Sequence, residues 1–420
     1  MEATYLHRRL VAVVPGFKMH SLKRRKRRLL FIISCMLSCV YLFRTLCCKY
    51  DDPTRRIYQG RPTSSSPSIV RKERLSTAPR ITTISSGNGT ENYRPSESLS
   101  VRTDTMRSFQ KKYTSPYKVQ QLTAAMRKLN KAQRNPWSYD QHQLDTFRRD
   151  LFLALKLESG AHPFHLTKRN TPVGSTLPFY QAGKEQRVTK SLWSSLPEDS
   201  IVRSDTRFPT CSVVGSSGIL LGSRCGEEID RSEFVIRFNL ATVRGFEADV
   251  GHKTNLTTLN PTYVRNRFGS LKTEQNISAF KASLEQFHGS LLWLPAFGVR
   301  GFQVPLLKVA SILAKGDVMT PVYGNPRHFL AVKSLWRPLL KRKKLPTTGL
   351  YMLTAAFEFC DHIKLFGAWP FEKSLRNQTV SYHYHDNLAI SRHHSFHAEF
   401  LQILKLHHLG IIKLQYSECL

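Results

Sequence analysis

Between Tyr382 and Phe400 the chain reads YHYHDNLAISRHHSFHAEF, five histidines in nineteen residues. Imidazole ligates metals, and it is also the side chain whose charge changes nearest neutral pH, so the cluster fits a metal centre or acid–base catalysis. His383 and His385 would share one face of a strand, and His397 could complete a zinc site with them. In the catalytic use a single neutral ring takes a proton from a hydroxyl. A second stretch, CSVVGSSGILLGSRC from Cys211 to Cys225, turns at Gly215 and Gly218 after an apolar run. Glycines at such a turn let backbone N–H groups approach a phosphate or a sugar, but the spacing is not G-x-G-x-x-G and carries little alone.

Such residues need elements to hold them. After about Pro209, short apolar runs (CSVVGSS, EFVIRFNL, NLTTLNP, SLLWLPAF, HIKLFGAW, GIIKLQYS) read as strands, and LYMLTAAFEFCDH and AEFLQILKLHHLG as helices. Continuous apolar strands separated by helices predict an α/β fold with a mainly parallel sheet covered on both faces. Earlier, QHQLDTFRRDLFLALKLES sets Leu144, Phe147, Leu151, Ala154 and Leu155 at helical spacing and marks the entry to the folded region.

The whole chain sets limits on what this fold does. It has 420 residues, 41% of them hydrophobic, which is ample for a real core. Its 63 Lys and Arg against 30 Asp and Glu give a formal charge of +33, which favours nucleic acid, anionic membrane or acidic glycan as partner. KRRKRR at Lys23 to Arg28 directly precedes the apolar run Leu29 to Phe43, with Arg44 beyond it. About fifteen residues of helix span roughly 22 Å, enough for a thin secretory-pathway bilayer with snorkelling arginines. No A-x-A site follows, so the run reads as an uncleaved signal anchor with the basic side in the cytosol. The expected division is a cytoplasmic tail at 1–28, an anchor at 29–46, a luminal stem at 47–135 and a catalytic domain at 136–420. A luminal domain meets no nucleic acid.

From Cys47 to about Ser115 the chain is rich in Ser, Thr, Arg and Pro and reads as a flexible stalk without periodicity. Cys211, Cys225, Cys360 and Cys419 are the cysteines of the folded region, and with no C-x-x-C pair they favour disulfides over zinc. Chain order selects none of their connectivities. Asn88, Asn255, Asn276 and Asn377 each begin an N-x-S/T sequon.

The run from Cys211 to Ala241, with DVGHKTNLTTLNP after it, resembles the large sialyl motif of animal sialyltransferases. LPTTGLYMLTAAFEFCDHIKLFGAWPF resembles their small sialyl motif, YHYHDN their third motif (usually H-Y-Y-D), and HSFHAE their very small motif, a His followed five residues later by Glu. The motifs stand in the family's order, and TNLTTLNP with PTTG is similar to the α-2,8-sialyltransferase branch, which includes oligo- and polysialyltransferases.

The resemblance implies a variant of the Rossmann-like nucleotide-sugar transferase A fold. It also implies an inverting, metal-independent transfer of sialic acid from CMP-sialic acid to a sialylated glycoprotein or glycolipid, with no cofactor. The enzyme would be a single-pass type II protein of the Golgi membrane. Carried over by position, His394 is the general base that takes the acceptor proton, with Glu399 in support. His383, with Tyr382, binds the phosphate of departing CMP, where a donor stabilises the developing anion. Ser216, Asn239 and the Thr347, Thr348, Gly349 turn hold nucleotide and donor sugar, the turn through N–H groups at a helix start, and Trp369 packs against the nucleotide side. The same resemblance implies Cys211–Cys360 and Cys225–Cys419 disulfides.

Ser216 departs from the family's usual Asn, Phe238 from its Cys, and His385 from the second Tyr of H-Y-Y-D. These departures keep the base and the phosphate contact. They suggest the rival reading, a non-catalytic or weakly active luminal sialoglycan-binding protein on the same fold. His385, His393, His397, His407 and His408 have no role in the resemblance and read as surface or satisfied rings. Between Arg327 and Lys344 stand Arg327, Lys333, Arg337, Lys341, Arg342, Lys343 and Lys344 with no acidic residue. A charge run is ordinarily a solvated face. Polysialyltransferases of this branch carry a similar stretch in the same place, so Arg337 and Lys341 to Lys344 are also expected to hold an acidic acceptor chain. Oligomeric state, a homo-oligomer included, is not fixed by the sequence.

Overall fold

The computed structural model describes residues 96–114, 118–132, 136–157, 164–180, 183–200, 207–316, 318–340, 345–388 and 394–419. The anchor expected at 29–46, the Asn88 sequon, His393 and Lys341 to Lys344 lie outside them. Among the described residues no helix is long and apolar enough to cross a membrane.

A small hairpin of β1 (Thr176–Pro178) and β2 (Glu185–Arg187) precedes the main sheet. That sheet contains β3 (Phe208–Val214), β4 (Phe234–Arg237), β5 (Leu256–Thr258), β6 (Ser290–Leu294), β7 (Met319–Tyr323), β8 (Cys360–Phe366) and β9 (Lys413–Leu414). The order is β7-β6-β5-β4-β3-β8-β9, every pairing parallel. The helices used below are α1 (Ser96–Tyr113), α2 (Val119–Ala132), α3 (Gln141–Leu155), α4 (Pro326–Leu335), α5 (Thr348–Phe359) and α6 (Phe396–His408).

The sheet is buried on both faces because successive strand residues point to opposite sides and both sides are apolar. Val213, Ile236 and Leu365 join the core cluster containing α5, while their neighbours Val214, Val235 and Phe366 join the cluster on the other face. From β3 the chain winds outward to β7, then returns to lay β8 on the other side of β3. The chain thus reverses its direction across the sheet between β3 and β8, whose carboxyl edge is the switch point where open α/β sheets bind ligands.

Cys211 is bonded to Cys360 and Cys225 to Cys419, with Cα separations of 5.9 and 4.9 Å. The first bond fastens β3 to the start of β8, the second holds the chain's end against the loop after β3.

The structure corrects the sequence reading in three places. Residues 96–132, assigned to the stem, contain α1 and α2, which pack on the domain through buried Phe109, Tyr113, Leu122 and Leu129. Their apolar residues sit one or two helical turns apart, a spacing the Ser- and Arg-rich background conceals. The small-motif helix stops at Phe359, and Cys360, Asp361 and His362 are strand. Buried Arg148 of α3 enforces that switch by donating to the carbonyls of Phe357, Cys360 and Asp361 at 3.3, 2.9 and 2.8 Å. Third, β7 was not expected, since Pro321 interrupts its sequence; β7 is an edge strand, where a missing N–H is tolerated.

Candidate active site

The turn after β3 is a packing hub. A Cβ on Gly215 would collide with the Gly367 carbonyl, and one on Gly218 with the Ser381 backbone, so glycine allows three loops to meet. Gly215, Ser217 and Gly218 donate their N–H groups to Phe366 O, Gly367 O and Ser381 O at 2.8, 3.2 and 3.0 Å. The expectation that this turn's N–H groups face a phosphate is thus corrected for these residues, whose donors are engaged within the protein. Ser217 Oγ donates to Trp369 O at 3.0 Å, and half-buried Ser216 accepts the Tyr384 N–H on its carbonyl at 2.8 Å. Tyr384 is buried, and its hydroxyl donates to Thr242 O at 2.7 Å. Burial pushes that phenol up to about 12, so it stays protonated as a fixed strut between the loops after β3 and β4.

Asn239 follows β4 with a φ of +56°, a conformation Asn tolerates better than most residues. Its N–H donates to Thr258 Oγ1 at 3.1 Å, and that hydroxyl donates back to Asn239 Oδ1 at 3.3 Å. The amide is thereby fixed at the carboxyl edge of β4 and β5. Phe238 beside it lies near Gly349: a Cβ there would meet only Thr347 Oγ1 at 3.5 Å and Phe238 Cε2 at 3.9 Å. The start of α5 and the Asn239 loop are therefore neighbours.

Thr347 caps α5 by accepting the Leu350 N–H at 3.0 Å. The same residue donates its N–H to Glu399 Oε1 at 3.1 Å and its hydroxyl to Glu399 Oε2 at 2.5 Å. Glu399 is buried in the first turn of α6, so this carboxylate joins the starts of α5 and α6. His394, just before α6, has Nδ1 3.2 Å from the Leu345 carbonyl. A carbonyl can only accept, so Nδ1 carries the hydrogen, which makes Nε2 the acceptor nitrogen of the neutral ring. The His394 ring packs edge-on to Phe396 at 5.6 Å, Phe396 edge-on to Tyr382 at 5.9 Å, and Tyr382 stacks on His383 at 4.2 Å. This aromatic row links the two sequence-singled histidines through successive ring contacts.

The segment around His383 is irregular and not a strand. Asp386 organises it, with Oδ1 2.8 Å from His383 Nδ1 and Oδ2 3.3 Å from His385 Nδ1, and the two rings lie 5.2 Å apart and 17° from parallel. Burial pushes the His385 imidazole below its ordinary value, against the pull of Asp386. For Asp386, burial acts upward, but the Leu388 N–H and the two histidines outweigh it and hold the carboxyl below its usual range. Among the described residues, the metal-ligating groups that converge are His383, His385 and Asp386. His397 is not among them: exposed, its ring packs on Phe371 at 5.2 Å.

Trp369 is buried, its ring edge-on to Phe371 and Phe400, and it forms wall more than surface. Arg327 and Arg337 are exposed, on and just after α4. Of the described sequons, Asn377 is exposed, Asn276 half-buried, and Asn255 half-buried with its amide oxygen accepting the Val235 N–H at 2.8 Å. Sequence reasoning missed Tyr384, Asp386 and Phe396. A carboxylate three residues after His383 was the available signal for Asp386; the others act through loops whose meeting only the fold reveals.

The chain matches the model of glycosyltransferase family 29 (sialyltransferase) over residues 164–411. An alpha-N-acetylneuraminide alpha-2,8-sialyltransferase of Xenopus tropicalis is 34% identical over 290 residues, covering 67% of this chain and 81% of the relative. Alpha-2,8-sialyltransferase 8F of Mus musculus is 33% identical over 293 residues, covering 68% and 72%. Among solved structures, a mammalian sialyltransferase aligns with a TM-score of 0.40 at 19% identity, over 64% of this chain and 85% of that one.

Proposed function

The chain belongs to glycosyltransferase family 29, the sialyltransferases, and from that premise we propose that it transfers sialic acid from CMP-sialic acid to the sialic acid ending a glycoprotein or glycolipid glycan, in α-2,8 linkage. The relatives named α-2,8-sialyltransferases support the linkage. The observation that carries the site assignment is the row His394–Phe396–Tyr382–His383 at the sheet's carboxyl edge.

In the reaction, the acceptor hydroxyl attacks the anomeric carbon of the donor as the bond to the phosphate oxygen breaks, and the bond's electron pair leaves with CMP. Attack opposite the leaving group inverts the configuration. His394 Nε2 takes the hydroxyl proton; Nδ1, donating to Leu345 O, keeps the ring in the tautomer this requires. His383, in its imidazolium form with Nδ1–H on Asp386, donates its Nε2–H to the phosphate and stabilises the charge developing there. The Asn239 amide, Ser216 and the N–H groups of Thr348 and Gly349 hold nucleotide and sugar, while Glu399 keeps the start of α5 in place through Thr347. Tyr382 shields the leaving phosphate from one side and Trp369 backs the nucleotide wall. These residues supply both proton transfer and charge stabilisation, so the reading needs no metal. The protein is anchored in the Golgi membrane by residues 29–46, with the domain in the lumen.

Purified residues 96–420, given labelled CMP-sialic acid and a sialylated glycoprotein, should incorporate label, and a linkage-specific sialidase should assign it as α-2,8. Excess EDTA should leave the rate unchanged. Incorporation no greater than for the heat-treated protein, with CMP still bound, would favour the sialoglycan-binding alternative.

A further inference from the structure

We propose that His383, His385 and Asp386 form a Zn2+ site through which the ion inhibits transfer. The Nδ1 atoms of both rings face one carboxylate, at 2.8 and 3.3 Å, and one donor atom from each residue lies within 4.8 Å of the others. Tetrahedral Zn2+ with ligands about 2 Å away needs donors roughly 3.3 Å apart, so a contraction of about 1.5 Å or less closes the set. Two imidazoles and one carboxylate suit Zn2+, whereas Mg2+ prefers an all-oxygen shell. The side chains are 19%, 13% and 27% exposed, so the donors are partly sheltered yet reachable. Their backbone is pinned in advance: Tyr384, between the histidines, donates its N–H to Ser216 O and its hydroxyl to Thr242 O. His385 stands where the family's third motif usually has Tyr, a poor zinc ligand when protonated, so Tyr at this position would leave the set one ligand short.

The inhibitory effect rests on the role proposed for His383. Zn2+ takes over the carboxylate that orients His383 and draws its Nδ1 to the metal, which shifts Nε2 from the phosphate it serves. A metal the reaction does not need thus suppresses it.

The test uses purified residues 96–420 and ZnCl2 alone. Calorimetry without substrate should show Zn2+ binding that His385→Tyr weakens at least about tenfold, while MgCl2 gives no heat of binding at this site. Because Tyr is the family's usual residue there, His385→Tyr should keep its transfer rate. Zn2+ should inhibit the parent protein reversibly by EDTA, and His385→Tyr should need at least about tenfold more Zn2+ for equal inhibition. Should the Tyr variant melt lower than the parent, His385→Asn takes its place. Equal Zn2+ affinity in parent and variant overturns the site. Binding that depends on His385 with transfer untouched by Zn2+ overturns the inhibition and points to His383 having another role. Absence of transfer in EDTA-treated protein counts against the proposed reaction alone, since calorimetry reads the site independently.

Discussion

The base proposed at His394 depends on the tautomer that its hydrogen bond to Leu345 sets. Leu345 O fixes the hydrogen on Nδ1, and the nitrogen that accepts a proton is then Nε2. His394→Ala should lower turnover by about 10²- to 10⁴-fold while leaving CMP affinity near that of the parent; near-normal turnover would remove His394 from the mechanism. Glu399 makes a different prediction, because it touches Thr347 and is buried. Glu399→Ala leaves the Thr347 N–H without this acceptor and should cost about 1–3 kcal/mol in denaturant unfolding. Glu399→Gln, which keeps one acceptor oxygen, should recover most stability and activity. If it recovers stability without activity, the negative charge itself takes part in the reaction. At this scale the sequence singles out His383, His394, Asn239 and Thr347 by type and motif, and the structure adds their hydrogen-bond and ring partners. The role of Gly215 and Gly218 was not legible: a glycine that admits a phosphate and one that admits another loop look alike in sequence.

At the scale of elements, the parallel sheet was readable because buried strands are apolar without interruption, as in VVG after Cys211 and SLLWL at β6. Elements were missed where local signal and tertiary setting disagree, as at β7 with its proline and at the helix end that Arg148 imposes. Helix α6 carries a consequence of packing that no pattern reveals. His407 and His408 at its end lie beneath α2 and Trp137, whose indole stacks on His407 at 5.3 Å. Burial pushes each imidazole down to about 4. Native rings thus bind a proton only near pH 4, whereas unfolded ones do so near 6.5, so their contribution is complete above pH 6.5 and is lost as pH falls toward 4. Thermal midpoints should drop between pH 7 and pH 5, and His408→Leu should narrow that drop; an unchanged pH dependence in the variant would assign the acid sensitivity elsewhere. His408 is the more exposed of the two and should account for the smaller share.

Across the whole molecule, charge and boundaries matter most. The formal +33 suits a protein whose acceptor bears a carboxylate on every sialic acid, and the sequence from Arg327 to Lys344 contributes seven Lys and Arg residues and no acidic one. If it retains a growing chain, replacing Lys341, Arg342, Lys343 and Lys344 with Gln should shorten the product and reduce its salt sensitivity while the first transfer survives. A parent enzyme that stops after one addition on every sialylated acceptor reduces the run to a solvated surface.

The amino-terminal boundary of the folded unit gives the sharpest whole-molecule test, because the sequence reading starts the catalytic domain at 136, whereas α1 and α2, which precede that residue, pack on the domain. Phe109 packs on Phe147 and Trp336, Tyr113 shares a hydrogen bond to Asp150 with Lys112, Gln110 donates to Ser334 O, and Leu129 O accepts from Tyr416. Burying Phe109, Tyr113, Leu122 and Leu129 is worth on the order of 6–10 kcal/mol before the entropy of ordering α1 and α2 is subtracted. Removing the helices also uncovers Phe147 and Trp336. Protein beginning at residue 136 should therefore melt several degrees lower than protein beginning at Ser96 and elute partly as aggregate. Differential scanning fluorimetry with size-exclusion chromatography reads both effects. Equal melting and equal monomer yield from the two would return α1 and α2 to the stem.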